Sequence, residues 1–193
     1  MFSFELVLVT GYLIAFAIFV TQSVNFIFVR DNAEARAAAS AIAPELPSGY
    51  EFGTSQPDNA LLGAGWYWPR VEDDDDGAWS RSAETYVYLP VPARESALDL
   101  EILGQAYVAP GHETVHIALT VDGAELGQWM AQYGQPAPRI EATVPESASA
   151  DGILEVRLSA VPLAIPYHYD RSNEKRKLGF LLSGMTLAES GSD

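Results

Sequence analysis

The chain has 193 residues, 48% of them hydrophobic and 19% charged, with a net charge of −15 and no cysteine. That apolar content excludes a wholly disordered chain, and the missing cysteines exclude disulfides, thiolate metal sites and cysteine nucleophiles together. The negative charge makes nucleic acid an unsuitable partner, keeps the chain off anionic surfaces unless it is held there, and favours cationic partners or divalent ions.

The first element is the run Phe4 to Val29, which is almost entirely apolar. As a helix at ~1.5 Å per residue it is long enough to cross a ~30 Å hydrocarbon core. A secretory signal peptide would carry a basic residue before a shorter apolar stretch. Here Glu5 is the only charge in that region, and the small residues Ala37-Ala38-Ala39 and Ser40-Ala41 lie well past the end of the run. The expectation is a retained single-pass anchor over residues 1–30 in contact with the lipid bilayer. At ~100° per residue, Thr10, Gly11, Thr21, Gln22 and Asn25 fall on one stripe, and large apolar residues cover the other side. Small and amide-bearing residues on one stripe suit close approach to a partner helix in lipid, so an integral membrane protein is the expected partner. Arg30 and Arg36 follow the span, and by the positive-inside rule they weakly favour a cytoplasmic C-terminal domain.

Residues 31–61 read as a helical and loop linker. Asp31 to Ala43 is alanine-rich and helix-prone. It either extends the anchor helix or forms a short separate one capped at Asp31 or Asn32, and Pro44 and Pro47 stop it. From residue 62 to 189 the chain reads as one domain, with 190–193 as a tail. Beyond Ala83 the apolar period becomes two: Thr85-Val87-Leu89, Leu98-Leu100-Ile102, Val115-Ile117-Leu119-Val121, Ile140-Ala142-Val144 and Leu154-Val156-Leu158, with a last strand over Leu178–Leu187. Asp122-Gly123 is a hairpin turn signal leading into Ala124–Gln132. The fold class is therefore mainly β: an antiparallel β-sandwich, jelly-roll-like, behind one N-terminal transmembrane helix.

Several stretches are candidates for chemistry. Trp66, Trp68 and Trp79 flank the acidic run Glu72–Asp76, and Tyr167 and Tyr169 sit in an aromatic loop before the last strand. Exposed aromatic faces of this kind can stack on a pyranose, which makes these five the candidate glycan-binding residues. Asp73, Asp74, Asp75 and Asp76 are candidate oxygen ligands for calcium, although their spacing is not that of an EF-hand loop. The same residues also suit a solvated acidic loop beside core tryptophans. His112 and His116 diverge across a turn and a strand, so no metal pair is expected. Arg171, Lys175, Arg176 and Lys177 gather just before the last strand, where they are available to pair with the acidic loop at ~0–1 kcal/mol per exposed pair. No GxSxG elbow, P-loop or dinucleotide fingerprint occurs, and nothing singles out a catalytic carboxylate pair.

Gly65-Trp66-(x)-Trp68-Pro69 with Gly77-Ala78-Trp79-Ser80, followed late in the chain by Arg176-Lys177-Leu178-Gly179-Phe180-Leu181-Leu182-Ser183-Gly184-Met185-Thr186-Leu187, resembles the opening and close of a carbohydrate-binding-like β-sandwich domain. That family is appended to bacterial membrane glycosyltransferases and related envelope proteins. The resemblance covers about residues 62–188. Arg70 departs from it, as does the acidic run Glu72–Asp76, and no transferase accompanies the domain. It implies a periplasmic domain on the bacterial inner membrane, against the arginine bias. Two functions are then expected: a non-enzymatic accessory or structural subunit of an inner-membrane complex, or a tethered carbohydrate-binding module.

Overall fold

A computed structural model describes residues 4–69, 76–93, 96–148, 151–169 and 173–191. In the N-terminal helix the described side chains are those of Ile14, Phe16, Ala17, Val20, Thr21 and residues 26–40.

Helix α1 runs unbroken from Phe4 to Ser40, so the alanine-rich stretch extends the apolar run and no separate capped helix forms. Among the described residues nine strands follow: β1 Ser48–Glu51, β2 Ala78–Trp79, β3 Glu84–Pro90, β4 Leu98–Ala106, β5 Thr114–Val121, β6 Ala124–Gln132, β7 Ile140–Val144, β8 Ile153–Val161 and β9 Phe180–Glu189. They form two antiparallel sheets. One has the order β1-β9-β4-β7, with β2 pairing the same edge of β9 beyond β1, and the other has the order β3-β8-β5-β6. The strands read from the period-two pattern all form. β1 lies within the segment read as linker, and β2 is too short to give a pattern.

The alternation explains the core. Val115, Ile117, Leu119 and Val121 of β5 and Leu154, Val156, Leu158 and Ala160 of β8 are buried, and they face Leu98, Leu100 and Ile102 of β4 and Leu182, Met185 and Leu187 of β9. Side chains two apart share a face, so each strand delivers one row to the interior. Asp122 and Gly123 both have positive φ, which suits the two-residue turn joining β5 to β6. At Gly104 the β4–β9 register shifts, and a Cβ there would collide with the carbonyl of Leu181, so only glycine allows the two backbones to meet so closely.

The sandwich has a third layer that the alternation does not announce. Tyr86 and Tyr88 point outward from β3, yet Tyr88 is buried, because the C-terminal half of α1 lies across them. Ala35 and Ala39, one turn apart, are buried in this seam. Phe28 meets Tyr86 edge-on with ring centroids 5.9 Å apart, and the Arg36 guanidinium lies 5.9 Å from the centre of Tyr88 while pairing with Asp151. The contacts advance together along α1 and β3, so the helix runs in the same direction as the strand. Its N-terminal half therefore leaves the sandwich at the end where β3 begins. By register, β8 and β6 end there and β5 starts there. The Ala164–Leu178 bridge and the Ser80 bonds to Phe180 bring the start of β9 and the end of β4 to the same end.

Among the described residues no helix is long and apolar enough to cross a membrane. The span expected at Phe4–Val29 lies largely on side chains outside the described residues.

Candidate functional site

After a short 3-10 turn at Pro57–Leu61 the chain runs antiparallel along the outer edge of β3. Gly63 N–H donates to the Tyr86 carbonyl at 2.8 Å, and Tyr86 N–H donates to the Ala64 carbonyl at 3.0 Å. Gly65, at φ +96°, passes so close to the Glu84 carbonyl that no Cβ fits. This turn sends three consecutive aromatics to different places. Trp66 goes inside, and its indole N–H donates to the Tyr86 carbonyl at 2.9 Å. Tyr67 joins a small cluster with Trp79, Leu178, Leu181 and Tyr107. Trp68 points out and is 64% exposed.

Helix α1 closes the other side. The side-chain amide oxygen (Oδ1) of its Asn32 accepts the Ala64 N–H at 2.7 Å, which pins helix to segment. Between them lies a cleft of about 490 Å³, lined by Arg30, Asp31 and Glu34 from the helix and by Trp66, Trp68 and Arg81 opposite. The charges balance in pairs. Arg30 lies 3.0 Å from Asp31 and 3.7 Å from Glu34, and Arg81 lies 3.6 Å from Asp31. The cleft therefore offers a flat exposed indole beside donors and acceptors with little net charge, which suits a neutral polar ligand with an apolar face.

The other candidates fall in different places. Trp66 and Trp79 are both 6% exposed, so their faces are spent on packing and are closed to a ligand. Tyr167 and Tyr169 lie on the long β8–β9 connection. Tyr169 packs on His112 with ring centroids 5.4 Å apart, and Tyr107 also stacks on His112, at 6.0 Å. His112 is buried, its Nε2 has no hydrogen-bond partner among the described residues, and burial pushes the imidazole below its ordinary pKa. Tyr167 stays open, with the Lys175 ammonium 5.4 Å from its ring centre. His116 is exposed on β5, away from any pairing with His112.

Of the acidic run, Asp73, Asp74 and Asp75 lie outside the described residues. Asp76 lies over Gly53 at the side of a second cleft, of about 500 Å³, that also holds Glu51 and Asp58. The Glu51 N–H donates to Asp58 there at 2.8 Å, and Asn59 ties the loop by bonding both the N–H and the carbonyl of Gly53. Among the described residues no group of three or more metal-ligating side chains is placed to hold an ion. Arg176 pairs with Glu174 at 2.6 Å, which holds that carboxyl below the usual carboxylate range, while Lys175 and Lys177 are exposed. On the partner-helix stripe, Thr21 is exposed and its hydroxyl donates to the Ala17 carbonyl at 2.9 Å. Thr10, Gly11, Gln22 and Asn25 lie outside the described side chains.

Sequence reasoning found Trp68 and missed its neighbours Arg30, Asp31, Glu34 and Arg81. Arg30, Asp31 and Glu34 do follow helical spacing. Nothing along the chain, however, says that this face of α1 meets residues 62–68.

No protein-family model matches the chain, and no curated protein matches it. Among solved structures, it is similar to a carbohydrate-binding module CBM36 in complex with calcium and xylotriose. The TM-score is 0.42 and the identity 15%, over 73% of this chain and 99% of that one. It is also similar to the CBM36-1 domain of a multidomain xylanase from the hindgut metagenome of Trinervitermes trinervoides, with TM-score 0.44 and 10% identity over 75% of this chain and 98% of that one. A third similar structure is a family GH115 4-O-methyl-alpha-glucuronidase, at TM-score 0.39 and 9% identity, where 74% of this chain covers 16% of the enzyme.

Proposed function

We propose that the chain is a non-catalytic binding module whose sandwich takes a neutral glycan in the cleft beneath α1, with α1 tethering it to a membrane. The observation that carries this reading is Trp68, a large aromatic left 64% exposed at a cleft of about 490 Å³. Exposing an indole forgoes its burial energy, and here the ring stands beside Arg30, Asp31, Glu34 and Arg81. A pyranose presents an apolar C–H face to the ring and hydroxyls to the charged groups, and the volume is in the range usual for small-ligand sites.

Support for the tether comes from α1 itself. Its 37 residues make a rod of roughly 56 Å, and Ile14, Phe16, Val20, Phe26, Ile27 and Val29 stand exposed on it. Apolar side chains at such density along a helix suit lipid or a partner helix. The resemblance of residues 62–188 is what supports a periplasmic position for the sandwich at a bacterial inner membrane.

The test is titration of oligosaccharides against the full chain in detergent. Trp68→Ala lowers affinity tenfold or more while leaving the far-ultraviolet dichroism unchanged, and Tyr167→Ala leaves affinity intact. Undiminished binding by Trp68→Ala, or no binding by the wild type across neutral glycans, defeats the reading.

A second reading, an accessory subunit held by a partner helix, draws on the same exposed helix residues. Thr21→Leu with Asn25→Leu then reduces co-purification of an integral membrane protein, and unchanged recovery counts against it.

A further inference from the structure

The exposed large apolar and aromatic side chains of the sandwich are not scattered. Among the described residues they are Trp68, Leu103, Met130, Tyr133, Val161, Tyr167 and Tyr169. All except Leu103 lie at or beside the end from which the N-terminal half of α1 departs, while Ile42, just past the C-terminal end of α1, is exposed at the other end. Tyr133 follows β6 and its N–H donates to the Glu113 carbonyl at 2.9 Å, just before β5 starts. Tyr167 and Tyr169 lie on the connection that joins the end of β8 to the start of β9.

Charge divides less sharply, since Glu84 and Glu113 are exposed at that end as well. Lys175 and Lys177 stand exposed on that connection, although the chain carries −15 overall. The opposite end presents Asp122, Glu146, Asp151 and Glu189 in its turns and strand ends.

We infer that this aromatic end of the sandwich, through the lysine-bearing β8–β9 connection, rests on the headgroup layer of the bilayer that α1 enters, with anionic phospholipid as its partner. The inference rests on the tether proposed above. The last described contact of α1 with the sandwich is Phe28 on Tyr86, and Phe26 and Ile27 before it are already exposed. The apolar rod therefore leaves at the level where Tyr133, Tyr167 and Lys175 project. Tyrosine rings belong at the membrane–water interface, and lysines there are attracted to anionic headgroups. Exposed Asp122, Glu146 and Glu189 at the opposite end are repelled from the same surface, which favours the lysine-bearing connection as the side that faces it.

The chain has no native cysteine, so single cysteines can carry a fluorophore. The full chain is reconstituted in nanodiscs of phosphatidylcholine with phosphatidylglycerol, using nitroxides on either the acyl chains or the headgroups. A label at Phe16→Cys quenched by acyl-chain nitroxide upholds the tether; a label there that escapes quenching removes the tether and this inference with it. With the tether upheld, a label at Lys175→Cys is quenched by headgroup nitroxide severalfold more than one at Ala124→Cys. Equal quenching at the two positions, or stronger quenching at 124, overturns the inference and leaves the tether standing. A label at Tyr133→Cys loses most of its quenching in the Lys175→Glu, Lys177→Glu background or in pure phosphatidylcholine. Quenching unaffected by either change overturns the role of anionic lipid.

Discussion

The interior of the sandwich and the seam beneath α1 are both buried, and they are built from different materials. The interior is rows of Leu, Ile and Val supplied by six strands, with Phe180 and Phe52 as its largest fully buried members. The seam is two alanines, two tyrosine rings and a set of polar fasteners: Asn32 on the Ala64 N–H, Arg36 with Asp151, and the Tyr88 hydroxyl donating to Glu155 at 3.2 Å. Area dominates the first, because burial is non-directional and roughly proportional to apolar surface. Geometry dominates the second. A helix packed through alanines buries little, so its position is fixed by which polar groups would be left unpaired if it moved. The difference matters for function, because the Trp68 cleft exists only while the seam is closed.

The largest expected effect separates the two at once. Phe180→Ala opens a cavity between the sheets and costs about 3–5 kcal/mol in chemical denaturation of the full chain, with the whole sandwich losing stability together. Two substitutions act on the seam alone. Ala35→Leu overpacks it by about 1–3 kcal/mol, and Asn32→Ala costs about 1–3 kcal/mol by orphaning the buried Ala64 N–H. In both, amide exchange speeds up at Gly63 and Ala64 while β5 and β8 stay protected. Equal acceleration in β5 would mean that seam and interior unfold as one unit.

The seam also carries a pH signature. Burial, and then the neighbouring Glu155 carboxylate, raise the pKa of Tyr88 well above its ordinary value. The folded state thus keeps the phenol protonated. Its contribution is complete below the unfolded-state pKa of about 10 and is lost as pH rises above that. Tyr88→Phe should flatten the alkaline part of the stability profile, leaving what Tyr50 and Tyr86 contribute. The smallest effect belongs to Arg36→Ala. Its ion pair with Asp151 is exposed, so about 0–1 kcal/mol is expected, and added salt should reduce the difference.

The interior was legible along the chain and the seam was not. Period two in Val115–Val121 and Leu154–Leu158 states which side chains share a face, and Asp122-Gly123 states where the hairpin turns. The same period places Tyr86 and Tyr88 outward, which is correct for the strand. It says nothing of what lies over them. Ala35 and Ala39 carry a faint signal, one helical turn apart with Asn32 on the same side, but an alanine-rich stretch reads equally as an exposed helix. β1 and β2 are too short for any period to show. The candidate site divided the same way. Trp68 was visible as an aromatic, while which of Trp66, Trp68 and Trp79 remains open to solvent depended on the turn at Gly65.

By itself, then, the sequence determined the repeating elements: a long apolar helix, a series of alternating strands, a hairpin, and an acidic chain with one basic, aromatic stretch. These follow from local periodicity and composition, which act between residues close along the chain. Only the tertiary structure decided that α1 continues to Ser40 and lies along β3, that Arg30 and Asp31 face Arg81 across a cleft beside Trp68, and that the exposed aromatics gather at one end. Those are matters of which distant surfaces meet. They are settled by burying Tyr88 and satisfying the Ala64 N–H, energies that belong to a pair of segments and are written in neither one alone.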